Sequence, residues 1–330
     1  MQVLVTGGSG FLGSRLVNAL LARGSIISSS GDEESIDEIL VADIGPPAQP
    51  FPDDKRLQTR YGDFSEADAA NQLINKDTGA VFHLAAIVSG EAESDFDKGM
   101  RINLEGTKKI LEACRHQADC PRLVFTSSVA VYGGDMPDVL NDMTALTPQT
   151  SYGSQKAMCE LLITDYSRKG FIDGRALRLP TIVVRPGKPN AAASSFASAV
   201  LREPLQGDQV NCPVSRKTGV WLLSPRQVVA CFLHAADLAA DAWGESRAVA
   251  LPGMTVTVEE MLTALAKVAG EGVAARVGFE PDPFIEKIVY GWATRFTTER
   301  AEVMGFRADQ RFEDVIEAFI EDELGGTFVK

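Results

Sequence analysis

Tyr152 and Lys156 stand four residues apart in the string Tyr152-Gly-Ser-Gln-Lys156, at the start of a predicted helix. That spacing places both side chains on one helical face. An unperturbed tyrosine titrates near ~10 and is a poor base at neutral pH. A lysine cation beside it favours the phenolate and lowers that pKa, so the phenol can exchange a proton with a hydroxyl or carbonyl. The same spacing also describes an exposed helix pair with no chemistry. The chemical reading gains from Thr126-Ser127-Ser128, hydroxyls at the carboxyl end of a predicted strand, where they can orient a reacting oxygen. Asn103, in a helical segment, either holds a water near Lys156 or is an ordinary polar helix residue.

The elements that must position these groups begin at Met1 to Gly13. Val3, Leu4 and Val5 form an apolar run without alternation, as in a central parallel strand covered on both faces. Thr6 opens a turn carrying Gly7, Gly10, Phe11, Leu12 and Gly13, and an apolar helix follows from Leu16 to Ala22. A glycine turn between strand and helix lets the backbone approach a pyrophosphate, which the first helical N–H groups bind. Dinucleotide binding is the expectation; a merely structural turn is the alternative. Asp43 closes the second predicted strand, where a carboxylate accepts from both ribose hydroxyls and repels a 2′-phosphate, so NAD is favoured over NADP. It lies 30 residues beyond Gly13, against the usual ~20, and the polar stretch Ser25 to Glu34 accounts for the excess. Asp63, followed by Phe64, either accepts from an adenine amino group or caps a following helix. His83 reads as a core histidine, and Leu84, Ala85 and Ala86 let the backbone come close to the cofactor. Ser127 belongs with the cofactor-facing set.

Short apolar strands alternate with helical segments as far as Arg178. The strands are 38–43, 56–61, 80–84, 122–126 and 175–179; the helices are 66–74, 102–114 and 154–166. This alternation predicts an α/β fold, a Rossmann-type doubly wound parallel sheet over 1–178, with the ligand beyond the strands' carboxyl ends. Prolines 180, 186, 189, 204 and 213 then punctuate a stretch of little periodicity. Residues 179–330 read mainly as a smaller substrate domain, with helices at 225–240, 258–269 and 312–323 and a return to the sheet near 214–240.

Three hundred and thirty residues, 45% hydrophobic and 23% charged, describe an ordinary globular protein. The net charge of −13 argues against nucleic acid and anionic membrane surfaces as partners. Five cysteines without CxxC spacing and three scattered histidines suggest reduced thiols and no metal site. No signal peptide or membrane-spanning run is visible, so a cytoplasmic location is expected.

The strings TGGSGFLG, Asp43, HLAA, Asn103, TSSVAVYG, YGSQK and LRLPTIVVRPG occur in the order of the extended short-chain dehydrogenase/reductases, which this chain resembles over at least Met1 to Gly187. The resemblance implies that Ser128 is the catalytic serine, Tyr152 the general base and Lys156 its partner. Pro180 and Thr181 would line the nicotinamide. Nucleotide-sugar members usually carry a diphosphate-gripping arginine in the second half, and the corresponding stretch Gly219 to Pro225 has none. Arg185, Lys188, Asn190 and Ser195 instead gather cations, an amide and a hydroxyl, which suits a small carboxylate-bearing polyol; a basic surface loop is the alternative. Residues 151–196 are similar to the branch of the family that oxidises the free four-carbon sugar acid D-erythronate at C2. Ser89 is a further substrate candidate and Arg216 a more distant one. Other readings are a uronate or aldonate dehydrogenase, a sugar epimerase, or a non-catalytic NAD-binding scaffold. The resemblance also implies a homodimer formed through helices 102–114 and 157–166.

Overall fold

Val3, Leu4 and Val5 are wholly buried in the middle of a seven-stranded parallel sheet. The computed structural model describes residues 1–66, 68–187 and 193–330. The strands are β1 (Gln2–Thr6), β2 (Glu38–Asp43), β3 (Leu57–Tyr61), β4 (Thr78–His83), β5 (Arg122–Ser128), β6 (Asp173–Leu179) and β7 (Ala248–Ala250). Their spatial order is β7-β6-β5-β4-β1-β2-β3. The chain therefore runs outward from β1 to one edge and then crosses to β4 on the other side. That reversal opens a crevice at the carboxyl ends of β1 and β4. The register lines up Thr6 with Ala42 on one side and His83 on the other, and His83 with Phe125.

Three helices carry the site: α1 (Phe11–Arg23), α2 (Thr107–Gln117) and α3 (Ser151–Arg168). Leu4, Val81, Leu123 and Phe125 of the sheet pack with Ile110 and Leu111 of α2 and Cys159 and Ile163 of α3 in one apolar core. A π-helical segment, Met100–Gly106, leads into α2. Extra residues in a helical turn of this kind re-aim side chains, often at functional sites.

The chain forms two compact units. The first comprises Met1–Val131, Pro148–Arg178 and Val229–Ala250, and the second Tyr132–Thr147, Leu179–Val228 and Leu251–Lys330. The stretch that rejoins the sheet is thus 229–250, against the 214–240 read from sequence. Beneath the sheet of the first unit, Asp173 (6% exposed) accepts from Arg175 and Arg247 and lies 3.4 Å from Arg122. Arg122 and Arg175 also donate to the carbonyls of Ile27, Ala235 and Ala236. Burial pushes the Arg175 guanidinium down to about 10 in spite of Asp173.

In the second unit a three-stranded sheet orders Met254–Thr257, Gly219–Leu223 and Thr181–Ile182. Val200, Leu222, Met261, Leu265, Ile316 and Phe319 share its core.

Three local expectations change. Among the described residues of 66–74 there is a short 3₁₀ turn, Ala70–Gln72, and Asp68 sits at φ 60°, where a right-handed helix cannot continue. The polar stretch after α1 is an antiparallel pairing of Ser25–Ile27 with Glu33–Ser35. The aperiodic region after Pro180 contains a twelve-residue helix, Ser195–Gln206, whose residues from Phe196 to Arg202 are all buried. Polar Ser198 and Arg202 are buried within it and Pro204 falls inside it, so the string does not read as a helix.

Candidate active site and cofactor cleft

A cavity of about 300 Å³ lies over the carboxyl ends of β1, β2, β3 and β4. Of the residues expected to hold a cofactor, Gly7, Gly10, Asp43, Asp63, Phe64, Leu84, Ala85 and Ala86 line it, together with Ile44, Ile87 and Ile102. Gly7 has φ 69°, and a Cβ there would sit 2.7 Å from the Ala85 nitrogen, so only glycine fits. A Cβ at Gly13 would fall 2.1 Å from the Gly7 carbonyl, which is how closely α1 packs on the turn. Phe11 and Leu12 form the first turn of α1. Its N-cap, Gly10, is extended and supplies no side-chain hydrogen bond. The leading N–H groups are thus uncapped by any side chain, the donor set that suits a pyrophosphate.

Asp43 accepts from the Ser9 N–H at 2.9 Å through one oxygen and from the Ile44 N–H at 2.7 Å through the other. Each oxygen keeps a second lone pair, so the fixed carboxylate can still accept from a ribose diol. The residues present fit a dinucleotide. Asp63 is more committed: it accepts from the Ser65 N–H and hydroxyl and from Arg101. Burial alone would raise its pKa, but these bonds hold it at about 2. Among the described residues from 64 to 78 there is no α-helix, so the helix-cap alternative reduces to a local turn.

His83 is the core histidine expected. Its ring nitrogens meet the hydroxyls of Thr6 (2.6 Å) and Thr107 (2.9 Å), and burial, then the Lys156 charge, press its pKa down to about 3.

The hydroxyls and the lysine come together where α3 meets the end of β5. Thr150 caps α3, its hydroxyl accepting from the Gly153 N–H at 3.1 Å. A Cβ on Gly153 would lie 2.1 Å from the Ala130 carbonyl, so the first turn of α3 lies directly on the turn that follows Ser128. Tyr152 is thereby half-buried beside that turn. Lys156 is 2% exposed and donates to the Thr126 carbonyl at 2.7 Å. Its ammonium lies 4.5 Å from the Phe125 ring centroid and 5.6 Å from that of Tyr152. Burial lowers the Lys156 pKa to about 8, with Cys159 and Glu160 opposing the fall, so the cation persists at neutral pH. Ser128 accepts from the Ala130 N–H at 3.1 Å, which leaves its hydroxyl proton to donate elsewhere.

Two expected residues are placed otherwise. The hydroxyl of Ser127 is buried and donates to Glu160, so it is turned to the protein interior rather than to a cofactor. Asn103, on the π-helical segment, accepts from the Ile87 N–H (2.9 Å) and donates to Gln155 (2.8 Å). Its amide braces the cleft wall against α3, and its oxygen keeps a second lone pair. Ser89 is half-buried at the start of a short helix, Ser89–Ser94.

In the second unit, the Arg185 backbone is fixed by the Ser198 hydroxyl and by Arg202, and Ser195 begins the helix 195–206. Pro180 and Thr181 lead into the short strand Thr181–Ile182, and Arg216 stacks 4.4 Å over the Phe279 ring. Lys188 and Asn190 lie outside the described residues. Among the described residues no cluster of three or more His, Cys, Asp or Glu could hold a metal, and no helix is long and apolar enough to cross a membrane.

Sequence reasoning missed Glu160, Gln155 and Arg178. Glu160 follows Lys156 at the same four-residue interval that separates Lys156 from Tyr152, a stripe visible in the string itself.

The profile of the NAD dependent epimerase/dehydratase family matches residues 3–243. The chain belongs to that family. A D-erythronate dehydrogenase of Cupriavidus necator is 52% identical over 322 residues, 98% of each chain. One from Haemophilus influenzae is 45% identical over 324 residues, 98% of this chain and all of its own. A crystal structure from Agrobacterium tumefaciens, described as a nucleoside-diphosphate-sugar epimerase, superposes with a TM-score of 0.93 at 43% identity, over 99% of this chain and 95% of its own.

Proposed function

We propose that this protein is an NAD-dependent dehydrogenase that oxidises the C2 hydroxyl of D-erythronate to the 2-oxo acid. The observation that carries this is full-length similarity to two D-erythronate dehydrogenases. The Tyr152–Lys156–Ser128 arrangement supplies the chemistry. Gly7, Gly10, Gly13, Asp43 and the Leu84–Ala86 wall would hold the dinucleotide, which accepts the hydride when bound. Ser128 donates a hydrogen bond to the reacting oxygen and Tyr152 removes its proton. Lys156, charged and buried on the same helical face, favours the phenolate. Arg185, Ser195 and Ser89, with Lys188 and Asn190, are the proposed carboxylate and hydroxyl contacts.

The Agrobacterium structure's description favours a second reading, an epimerase acting on a nucleotide sugar. Against it, 219–225 carries no arginine for a diphosphate. A panel of aldonates, uronates and nucleotide sugars, followed by NADH absorbance with NAD and NADP, tests both. D-erythronate with NAD should give the highest kcat/KM. Turnover of a nucleotide sugar without net NADH would replace this reading with the second.

A cytoplasmic homodimer completes the proposal. Phe96 (58% exposed) and Leu161 (70% exposed, on α3) leave apolar surface on this helical side of the first unit. Sedimentation velocity should give twice the chain mass, and a monomer would dispose of the pairing.

A further inference from the structure

Glu160 is 3% exposed in the middle of α3, four residues beyond Lys156 and eight beyond Tyr152. A carboxylate is rarely buried so deeply unless it is paired and hydrogen-bonded. Here Arg178, at the end of β6, grips both oxygens: Nε lies 3.1 Å from each, and Nη2 is 2.8 Å from Oε2. The remaining donor is the Ser127 hydroxyl.

The two contacts that α3 makes with the end of β5 fall on consecutive residues. Lys156 takes the carbonyl of Thr126 and Glu160 takes the hydroxyl of Ser127, and the next residue is Ser128. One helical turn of α3 therefore matches one residue step of the strand. The Glu160 contact leaves the Ser128 hydroxyl and the Tyr152 phenol, the groups proposed to meet the substrate, unused. Strand ends are otherwise free to fray, and an error of about 1 Å in a reacting group costs on the order of 100-fold in rate.

We infer that Glu160, braced by Arg178, is a positioning residue: through Ser127 it fixes the end of β5 that presents Ser128, and it sets a carboxylate one helical turn from Lys156, on the face that carries Tyr152. The groups facing Lys156 are Cys159 and Glu160 from its own helix, His83 from β4, and the rings of Phe125 and Tyr152. Among these, Glu160 is the carboxylate. His83 stays neutral, and burial pushes the Cys159 thiol up, towards its uncharged form. The kinetic half of this inference rests on the dehydrogenase reading above; the electrostatic half does not.

Two single variants separate the halves. Ser127→Ala keeps the charge and removes the tie to the strand. Glu160→Gln keeps an acceptor for Ser127 and removes the charge. In Ser127→Ala, kcat should fall about tenfold or more, with KM for NAD unchanged. In Glu160→Gln, the Lys156 titration midpoint in the NADH complex, followed by NMR of 15N-lysine-labelled protein, should fall by about one unit. The pH profile of kcat/KM should move the same way, because loss of a negative charge also favours the phenolate. Should Glu160→Gln fail to fold with Arg178 left unpaired, Ser127→Ala still decides the positioning claim and Glu160→Gln/Arg178→Gln supplies a neutral pair for kcat. Wild-type kcat in Ser127→Ala, or an unmoved Lys156 midpoint in folded Glu160→Gln, overturns the inference. Failure of the wild-type enzyme to oxidise D-erythronate would instead remove the functional reading and leave the NMR result standing.

Discussion

Tyr152→Phe should lower kcat for D-erythronate oxidation by about 10³-fold while leaving NADH affinity and thermal stability near those of the wild type. The substitution removes one oxygen from a half-buried ring and leaves the carbon framework in place. The cofactor cavity is lined from β1 to β4 and from the π-helical segment, not from Tyr152, and its glycines and Asp43 are untouched. What disappears is the atom that receives the substrate proton. Lys156 does not replace it: it is bound to a main-chain carbonyl and still charged at neutral pH, and a charged ammonium cannot accept a proton. His83, the histidine of the cleft, is neutral but holds the hydroxyls of Thr6 and Thr107. Steady-state kinetics with NADH titration by fluorescence measures both quantities. Activity within a factor of about three of the wild type would move the base elsewhere; a parallel loss of NADH binding would make the tyrosine structural.

Most of the cleft was legible because its chemistry is local in sequence. The glycine turn, Asp43 and the Leu84–Ala86 wall each belong to one strand end, and a parallel sheet brings successive strand ends together without further instruction. Tyr152 and Lys156 are one helical turn apart, so their proximity follows from periodicity alone. The side-chain partners of Ser127 and Asn103, by contrast, depend on long-range pairing. Ser127 lies next to Ser128 and looks like it, but alternation along β5 sends its hydroxyl inward to Glu160. Asn103 is polar and well placed in sequence, yet its amide satisfies the backbone of Ile87 across the cleft wall. The helix at 195–206 was hidden for a different reason: Ser198 and Arg202 are buried along with its apolar residues, and Pro204 within it argues against a helix.

The largest stability effect should come from a residue far from the chemistry. Asp173→Asn is expected to cost about 3 to 5 kcal/mol, the loss that follows when one partner of a buried ion pair is removed. Asp173 is the carboxylate that faces Arg122, Arg175 and Arg247, of which Arg122 and Arg175 are 1% and 0% exposed. The direction of the Arg175 pKa shows that burial already outweighs the attraction of Asp173. Taking the negative charge away leaves the buried Arg122 and Arg175 with carbonyl partners and, for Arg122, the more distant charge of Asp237. Those carbonyls belong to the 25–35 hairpin and to the end of the helix Pro225–Asp237, so strain there spreads to the edge of the sheet where β7 pairs with β6. Urea unfolding followed by circular dichroism should show the midpoint fall, with D-erythronate turnover per folded molecule unchanged. Replacing Asp173, Arg122 and Arg175 together with apolar residues of similar volume should recover part of the loss, because a neutral apolar cluster needs no counter-charge. An Asp173→Asn variant within about 0.5 kcal/mol of the wild type would mean that water or local rearrangement reaches the arginines after all.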